Sequence, residues 1–543
     1  MKRSSFFEGA FFATTGIVIC KIIGALYVIP FYAMIGEQGG ALYGYAYAIY
    51  AVFISFSTGG IPLAISKLVS EYRALGYQHT KEKVYKLGIM MIGLFGFLLF
   101  LILFLFAPMI ATLILGNAKG GNTVTDIAFA IRVISTSLLV VPVLAVVRGY
   151  FQGHNLMRQS SVSSILEQLG RVTVILVGSY FSLKVFHLSI RTAVGVSVFG
   201  ATIGALVGYF YLIEKKHKKK ILSYDGPINA AEKNFTNSFL IRKILIYALP
   251  FLIIEGVKAA FSLVDTFTLV QTLVKLNYSA VDAELIQSIV TTWGIKLNMI
   301  VISISLGITV SIVPHISSSV ARKDKVEANK KIHQSVLSLA LFVLPLAFGL
   351  SFLSTPMWTL FYGKNELASS LFQFFIFATV SFSFFSLLIN ICQTMDHTKL
   401  VMKVLFYMFL GKVIMNVPSM YIFSYFNIPP YFGPLFITIT SELLGALYLI
   451  FYLHKNDYST KRTVYYCIMT LLCSLIMFVT LKIIGSFLLY TGESRFLSLI
   501  TILLYGVLGM ILYFILVLKS GILRELFGKE NLKKKMNLFT RNR

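Results

Sequence analysis

Apolar runs long enough to cross a membrane recur along almost the whole sequence. A helix needs about 20 apolar residues to span a hydrocarbon core of about 30 Å. We identify fourteen such runs, with approximate bounds 9–35, 41–66, 87–115, 126–150, 162–182, 190–213, 244–274, 288–314, 335–360, 368–392, 404–424, 431–453, 464–489 and 496–518. Of the 543 residues, 57% are hydrophobic and 13% are charged, which is outside the usual range for soluble domains. The sequence predicts an all-α polytopic membrane protein with fourteen transmembrane helices.

Basic residues are distributed unequally between the loops. Of the 48 Lys and Arg residues, 35 lie in the termini and alternate loops, seven lie in the remaining loops and six lie inside apolar runs. Cytoplasmic loops of membrane proteins are enriched in Lys and Arg. The bias predicts that both termini are cytoplasmic and that the number of spans is even. It also explains the net charge of +26 without a nucleic-acid partner.

The order of spans and polar segments predicts a repeated architecture. Two blocks of six spans would be related by a pseudo-two-fold axis along the membrane normal, as in transporters built from parallel repeats. The predicted domains are an N-terminal lobe at 1–213, a basic cytoplasmic linker at 214–243, a C-terminal lobe at 244–453, spans 13 and 14 within 454–518, and a basic cytoplasmic tail at 519–543.

Charged residues inside the predicted spans are the candidate functional residues. A charge at the bilayer centre costs about 2.5–3.5 kcal/mol, so such residues usually face a cavity or a partner. They are the basic Lys21, Arg132, Arg171, Lys258, Lys296 and Lys412 and the acidic Glu167, Glu255, Asp265 and Glu442. Lys21 and Lys258 lie near the middle of their spans. Each either forms a buried ion pair or lines a water-filled cavity that attracts an anion.

Two of the basic residues have acidic neighbours on their own helix. Glu167 and Arg171 have the i, i+4 spacing of an intrahelical salt bridge. Glu255 and Asp265 share the helical face of Lys258 and could neutralise it. For these residues a structural role remains open beside a role in substrate binding.

The acidic residues inside spans are weak candidates for ion or proton coupling. Asp265 could hold a proton or a sodium ion, and Glu255 lies in the same span. Glu442 could act as a proton relay or pair with Lys412 on the preceding span.

The sequence carries no signature of an enzyme. It has no phosphate-binding loop of the G-x-x-x-x-G-K-[ST] type, no paired acidic motif in a loop for metal-assisted transfer, and only short loops between spans. The histidines lack metal-ligand spacing. We therefore expect no metal site, no catalytic residue and no cofactor.

Motifs in the first half of the chain resemble a known family. The stretch from Gly24 to Tyr72 includes Pro30-Phe31, Gly60-Ile61-Pro62 and Ala64–Tyr72, and Arg148–Asn155 is followed by Glu167–Val172. These motifs resemble the polysaccharide-biosynthesis branch of the multidrug/oligosaccharidyl-lipid/polysaccharide (MOP) flippase superfamily. They look most like the stage V sporulation protein B and YtgP group, which includes MurJ-like lipid II flippases.

The resemblance covers essentially the full length and implies fourteen helices. Twelve would form two six-helix lobes around a central cavity, and the last two would form a groove for a lipid tail. In this family a basic residue midway along the first helix contacts the pyrophosphate region, and Lys21 occupies that place. Lys296 matches a second cavity cation near the start of the eighth helix. Flippases of the Gram-negative type have a further arginine where this chain reads Tyr27.

We therefore predict a flippase of the bacterial plasma membrane. It would translocate undecaprenyl-pyrophosphate-linked peptidoglycan precursor (lipid II) from the inner to the outer leaflet by alternating access, and so serve cell wall biogenesis and cell shape. The candidate substrate-binding residues are Lys21, Lys296, Lys258, Arg132, Arg171 and Tyr27. The expected partners are the lipid-linked anion and membrane lipids, for a monomer coupled to membrane potential, H+ or Na+.

Three alternative functions stay open. The chain could flip another undecaprenyl-linked polysaccharide unit, which would share the pyrophosphate. It could be a cation-coupled multidrug exporter of the same superfamily that relies on Asp265 and Glu442. It could also be a membrane enzyme acting on lipid-linked sugars, although it lacks a soluble domain and a metal motif.

Overall fold

The computed structural model describes residue 16 and residues 19–58, 60–218, 232, 235–456, 458, 461–487 and 494–527. Within these residues every regular element is a helix. The α-helices are α1 Ile19–Leu26, α2 Val28–Thr58, α3 Ile61–Ala74, α4 Gln78–Leu115, α5 Val124–Ser135, α6 Val141–Gly153, α7 Met157–Thr173, α8 Ile190–Lys218, α9 Asn237–Lys275, α10 Ala280–Ser288, α11 Gly294–Ala321, α12 Lys325–Phe352, α13 Ser354–Tyr362, α14 Glu366–Thr394, α15 Thr398–Tyr425, α16 Phe432–Lys455, α17 Lys461–Phe487, α18 Arg495–Ser520 and α19 Ile522–Phe527.

Membrane-length helices dominate the described part of the chain. Eleven are long and apolar enough to cross a membrane. The number rises to thirteen when two bent pairs, α1 with α2 and the two halves of α9, each count as one span. The prediction of an all-α polytopic membrane protein is confirmed, whereas the count of fourteen spans stays a prediction.

Breaks between helices coincide with two of the predicted span boundaries. Within α2, Gly36 has φ 66° and ψ −169°, a conformation that glycine adopts without steric penalty. This kink lies between the predicted spans 9–35 and 41–66. Likewise, α9 ends at Lys275 and α10 begins at Ala280, within the polar stretch that separates predicted spans 7 and 8.

The helices form two compact units. The first comprises Met1–Lys296 with Asn416–Tyr431, and the second comprises Leu297–Met415 with Phe432–Arg543. In the first unit α2 packs against α5 and α9, α3 against α6, and α7 against α8. In the second unit α12 packs against α14 and α17, and α14 packs against α16. The predicted domains and the symmetry of the two lobes stay predictions.

A row of glycines on α8 allows α7 to approach closely. Gly200, Gly204 and Gly208 are four residues apart and therefore lie on one helix face. A Cβ at Gly204 would lie 2.5 Å from the carbonyl oxygen of Glu167, and a Cβ at Gly200 would lie 3.0 Å from that of Arg171. Small residues at such spacing permit close packing of membrane helices. The row thus positions the segment of α7 that carries Glu167 and Arg171.

Replacing Gly204 with leucine should destabilise the protein. The larger side chain would push α7 away from α8, and overpacking of this kind costs about 1–3 kcal/mol. The thermal unfolding midpoint of the purified protein in detergent should fall. Gly349→Ala is the control, because the space around Gly349 is open and alanine favours a helix. An equal midpoint for Gly204→Leu and wild type would contradict the packing.

Candidate functional site

An aromatic cage surrounds the ammonium group of Lys296 at the start of α11. Its Nζ lies 4.7 Å from the ring centroid of Tyr27, 5.0 Å from Tyr43, 5.9 Å from Tyr47 and 4.6 Å from Trp293. Nζ also donates a hydrogen bond of 2.5 Å to the Tyr27 hydroxyl. Aromatic rings attract a cation through their quadrupole, by about 0.5–2 kcal/mol. The rings stabilise the charge without neutralising it.

Helix α2 and the turn before α11 build this cage. The rings of Tyr43 and Tyr47 stack with centroids 4.5 Å apart, and those of Tyr43 and Trp293 stack at 5.6 Å. Trp293 Nε1 donates a hydrogen bond of 3.1 Å to the carbonyl of Gly40. Trp293 ends a π-helical turn, Ile289–Trp293, an irregularity that is frequent at functional sites.

A second group of charges lies on α6 and α7. The Glu167 carboxylate forms salt bridges with two guanidinium groups. The N···O distance is 2.7 Å to Arg171 and 2.8 Å to Arg148. The predicted Glu167–Arg171 salt bridge is therefore present, but a second arginine shares the carboxylate. One negative charge between two positive charges leaves an excess of positive charge. Arg171 is also close enough to Lys296 for the two to repel each other.

Lys21 adds a further cation beside this group. The neighbouring Cys20 interacts electrostatically with Glu167, Arg148 and Arg171, which places this turn of α1 next to α7. Lys21 itself is partly exposed. Within the described residues it has no salt bridge, and Cys20 is its electrostatic partner.

We call Lys21, Arg148, Arg171 and Lys296, together with Glu167, the cationic group. It holds four basic side chains and one acidic side chain, all within the first unit. Among the residues described, neither Lys21 nor Lys296 forms a salt bridge with a carboxylate. Such a concentration of unneutralised positive charge is suited to an anion.

Two other predicted binding residues have local partners. Lys258 is mostly buried and pairs with Glu255 at 2.9 Å, which matches the structural alternative for this lysine. Arg132 is exposed, and its Nε donates a hydrogen bond of 3.2 Å to the carbonyl of Phe104. No contact described in the structure joins either residue to the cationic group, and their part in substrate binding stays a prediction.

Of the acidic candidates for coupling, Glu255 and Asp265 belong to the first unit and Glu442 belongs to the second. In the first unit, buried Asp265 accepts a hydrogen bond of 3.1 Å from Asn416 Nδ2, which also donates to Thr268 Oγ1 at 2.7 Å. In the second unit, buried Glu442 forms a hydrogen bond of 2.5 Å with Ser381. The coupling role of these residues, like that of Glu255, stays a prediction.

Sequence reasoning missed Arg148 and the aromatic cage. Arg148 lies at the end of the predicted span 126–150 and is not among the charged residues identified inside spans. Tyr43 and Tyr47 carry no charge, so a search for charged residues inside spans does not find them. The available signal was Trp293, one of two tryptophans in the chain, which precedes Lys296 by three residues and therefore lies on the same helix face.

The fold and the site together define a class of protein. Many membrane-length helices with a partly buried cationic group are typical of a membrane transporter. Residues 6–303, more than half of the chain, match the family described as polysaccharide biosynthesis protein, and residues 290–418 match MatE. The chain belongs to the polysaccharide biosynthesis protein family, which confirms the predicted resemblance.

Individual relatives agree with this assignment. The lipid II flippase MurJ of Bacillus subtilis (strain 168) is 29% identical over 538 residues, which cover 97% of each chain. Stage V sporulation protein B of the same organism is 26% identical over 223 residues, or 41% of each chain. The solved structure of a lipid II flippase MurJ in an inward closed conformation has a TM-score of 0.67 and 16% identity. It covers 94% of this chain and 98% of that chain, and it supports the fold.

Replacing Glu167 with glutamine should destabilise the protein strongly. Arg148 and Arg171 would then face each other without a carboxylate, and breaking a buried ion pair costs roughly 3–5 kcal/mol. Thermal unfolding in detergent measures the loss. Glu255→Gln is the control, since it breaks a partly exposed i, i+3 pair, which contributes less than about 1 kcal/mol. If both variants unfold at the same temperature, Glu167 does not hold the two arginines together.

Proposed function

We propose that this chain is a flippase that moves lipid II, the undecaprenyl-pyrophosphate-linked peptidoglycan precursor, from the inner to the outer leaflet of the bacterial plasma membrane. It would work by alternating access as a monomer, with both termini in the cytoplasm. Family membership and the full-length similarity to a lipid II flippase support this function. The observation that carries it is the cationic group, in which Lys21 and Lys296 have no carboxylate partner among the described residues.

The members of the cationic group would have different tasks. Arg148 and Arg171 are engaged by Glu167, so they would contribute mainly a positive field. Lys296 is held by rings and a hydroxyl, whereas Lys21 has no such contact within the described part of the chain. Charge-assisted hydrogen bonds to phosphate are stronger than neutral ones, so a pyrophosphate could draw Lys296 from its cage at little loss. Lys21 and Lys296 would bind the pyrophosphate directly, and Tyr27 would position Lys296.

Membrane potential would favour outward movement of such a cargo. Moving one elementary charge across 100 mV changes the free energy by about 2.3 kcal/mol. If roughly two negative charges cross uncompensated, their outward movement from an inside-negative cell would lower the free energy by about 4–5 kcal/mol. The emptied cationic group would be drawn back toward the cytoplasm. H+ and Na+ are candidate coupling ions, with Asp265, Glu255 and Glu442 as candidate sites, and no cofactor is required.

The charge of the site favours this function over the alternatives. An exporter of cationic drugs would need acidic side chains in excess at its binding site, whereas the cationic group has basic ones. The named relatives are a flippase and a sporulation protein of the same family, and the chain is a transporter rather than an enzyme. Other undecaprenyl-linked units share the pyrophosphate, and the similarity to the Bacillus flippase favours the peptidoglycan precursor.

Lys21→Ala should abolish rescue of a bacterium depleted of its own lipid II flippase. The variant loses a cation that has no carboxylate partner among the described residues, so the pyrophosphate would lose a direct contact. Growth and cell shape after depletion measure rescue, and immunoblotting of membranes confirms that the variant is present.

Lys258→Ala is the matched control, because Lys258 is also a mid-span lysine but is already paired with Glu255. We expect it to rescue growth. Lys296→Ala should fail to rescue, as Lys21→Ala does. Normal growth with Lys21→Ala, at wild-type protein levels, would refute the anion-binding role of Lys21.

A further inference from the structure

Glu442 is a buried carboxyl group in the second unit that the proposed function names only as one of three candidate sites for a coupling ion. It lies near the middle of α16 and is 7% exposed. One turn further along α16, Gly445 abuts Phe385 of α14 and Met408 of α15. Glu442 therefore lies where α16 packs against two other helices, and it is largely shielded from solvent.

Hydrogen bonding at Glu442 involves one hydroxyl proton and two acceptors. Ser381 Oγ lies 2.5 Å from Glu442 Oε2 and 2.9 Å from the carbonyl oxygen of Ala378. A serine hydroxyl has one proton to donate. If Glu442 is ionised, Ser381 can donate its proton to Oε2, because the Ala378 carbonyl still accepts the backbone N–H of residue 382 within α14. If Glu442 is protonated, its O–H donates to Ser381 Oγ and Ser381 donates to Ala378. The ionised acid would be a buried charge with one neutral donor and, among the described residues, no salt bridge, which is costly, so this geometry favours the protonated acid.

The charged group that faces Glu442 is Lys412 of α15. Lys412 is fully buried, and its ammonium donates to the Pro434 carbonyl at 2.9 Å and to Thr438 Oγ1 at 2.7 Å. It interacts with Glu442 electrostatically, whereas the hydrogen-bond partner of Glu442 on α14 is the uncharged Ser381. Of the two sequence-based alternatives for Glu442, a direct pair with Lys412 is therefore not the arrangement observed.

We propose that Glu442 is a proton-binding site and that this structure represents its protonated state. Loss of the proton converts the acid to a carboxylate and releases H+ to water, with no other reactant. Ser381 then turns its hydroxyl from Ala378 toward Oε2. The new negative charge attracts Lys412, whose partner Thr438 lies about one turn of α16 before Glu442.

The spacing on α16 makes this exchange of partners feasible. Pro434, Thr438 and Glu442 are four residues apart, so they lie along one face of the helix. Four residues correspond to about 6 Å along the axis, and a lysine side chain is long and flexible. Lys412 would leave the start of α16 and pair with Glu442, which would change how α15 packs against α16. Proton binding thus selects between two arrangements of the second unit.

This inference deepens the proposed function, because it assigns a proton to one of the candidate coupling sites, and it does not depend on the cargo. Proton binding is a property of the purified protein, so it can be measured without lipid II and without transport. A failure of rescue by Lys21→Ala or Lys296→Ala therefore says nothing about Glu442, and the two proposals can fail separately.

Infrared difference spectroscopy of the full chain in lipid nanodiscs tests the proposal. At neutral pH the wild type should show the carbonyl stretch of a protonated carboxylic acid, shifted in D2O, that disappears as the pH is raised. Glu442→Gln should lose this band completely. Glu255→Gln should retain it, because that carboxylate already pairs with Lys258.

Ser381→Ala gives a test that does not rely on the folding of the Glu442 variant. It removes the hydrogen-bond acceptor of the acid, so the band should persist at a shifted frequency. A band unaffected by both Ser381→Ala and Glu442→Gln would overturn the proposal. Loss of the wild-type band on adding Na+ at constant pH would also overturn it, since the site would then bind a metal cation.

Discussion

The charge of Lys296 is stabilised by aromatic rings rather than by a carboxylate, and the proposed function depends on this difference. A carboxylate would neutralise the lysine, and an anionic cargo would then have to displace it at the loss of a buried ion pair. Tyr27, Tyr43, Tyr47 and Trp293 instead contribute a weak attraction that leaves the positive charge available. Lys296 is thus a cation that the protein stabilises and that can still bind an anionic cargo.

Helix packing in the first unit supports this arrangement. The glycines of α8 allow the backbone of α7 to pack so closely that a Cβ at Gly204 would lie 2.5 Å from the carbonyl oxygen of Glu167. The same helix, α7, carries the side chains of Glu167 and Arg171. Glu167 in turn holds Arg148 of α6. Small residues on one helix therefore fix the positions of charges on two others. Lys258, paired with Glu255 on its own helix, shows the contrasting case of a lysine whose charge is neutralised locally.

Composition and periodicity were sufficient to predict the helical membrane fold, because each span has to be apolar along its length. They also identified Lys21 and Lys296, since charges in hydrocarbon are rare, whereas the family resemblance singled out Tyr27. Partners from other helices could not be predicted. The sharing of Glu167 by Arg148 depends on how α6 packs against α7, and the cage depends on how α2 meets the turn before α11. The number of spans was equally difficult to predict, because Gly36 lies in the polar gap between two predicted spans but is a kink inside one helix, α2.

Direct binding of the lipid headgroup is the strictest test of the central claim. Native mass spectrometry of the purified protein with lipid II would compare the wild type with the Lys21→Ala, Lys296→Ala double variant. The account predicts a lipid-bound wild type and a bound fraction at least tenfold lower in the double variant, about 1.4 kcal/mol or more of binding free energy. Equal binding by the two proteins, both folded, would contradict it.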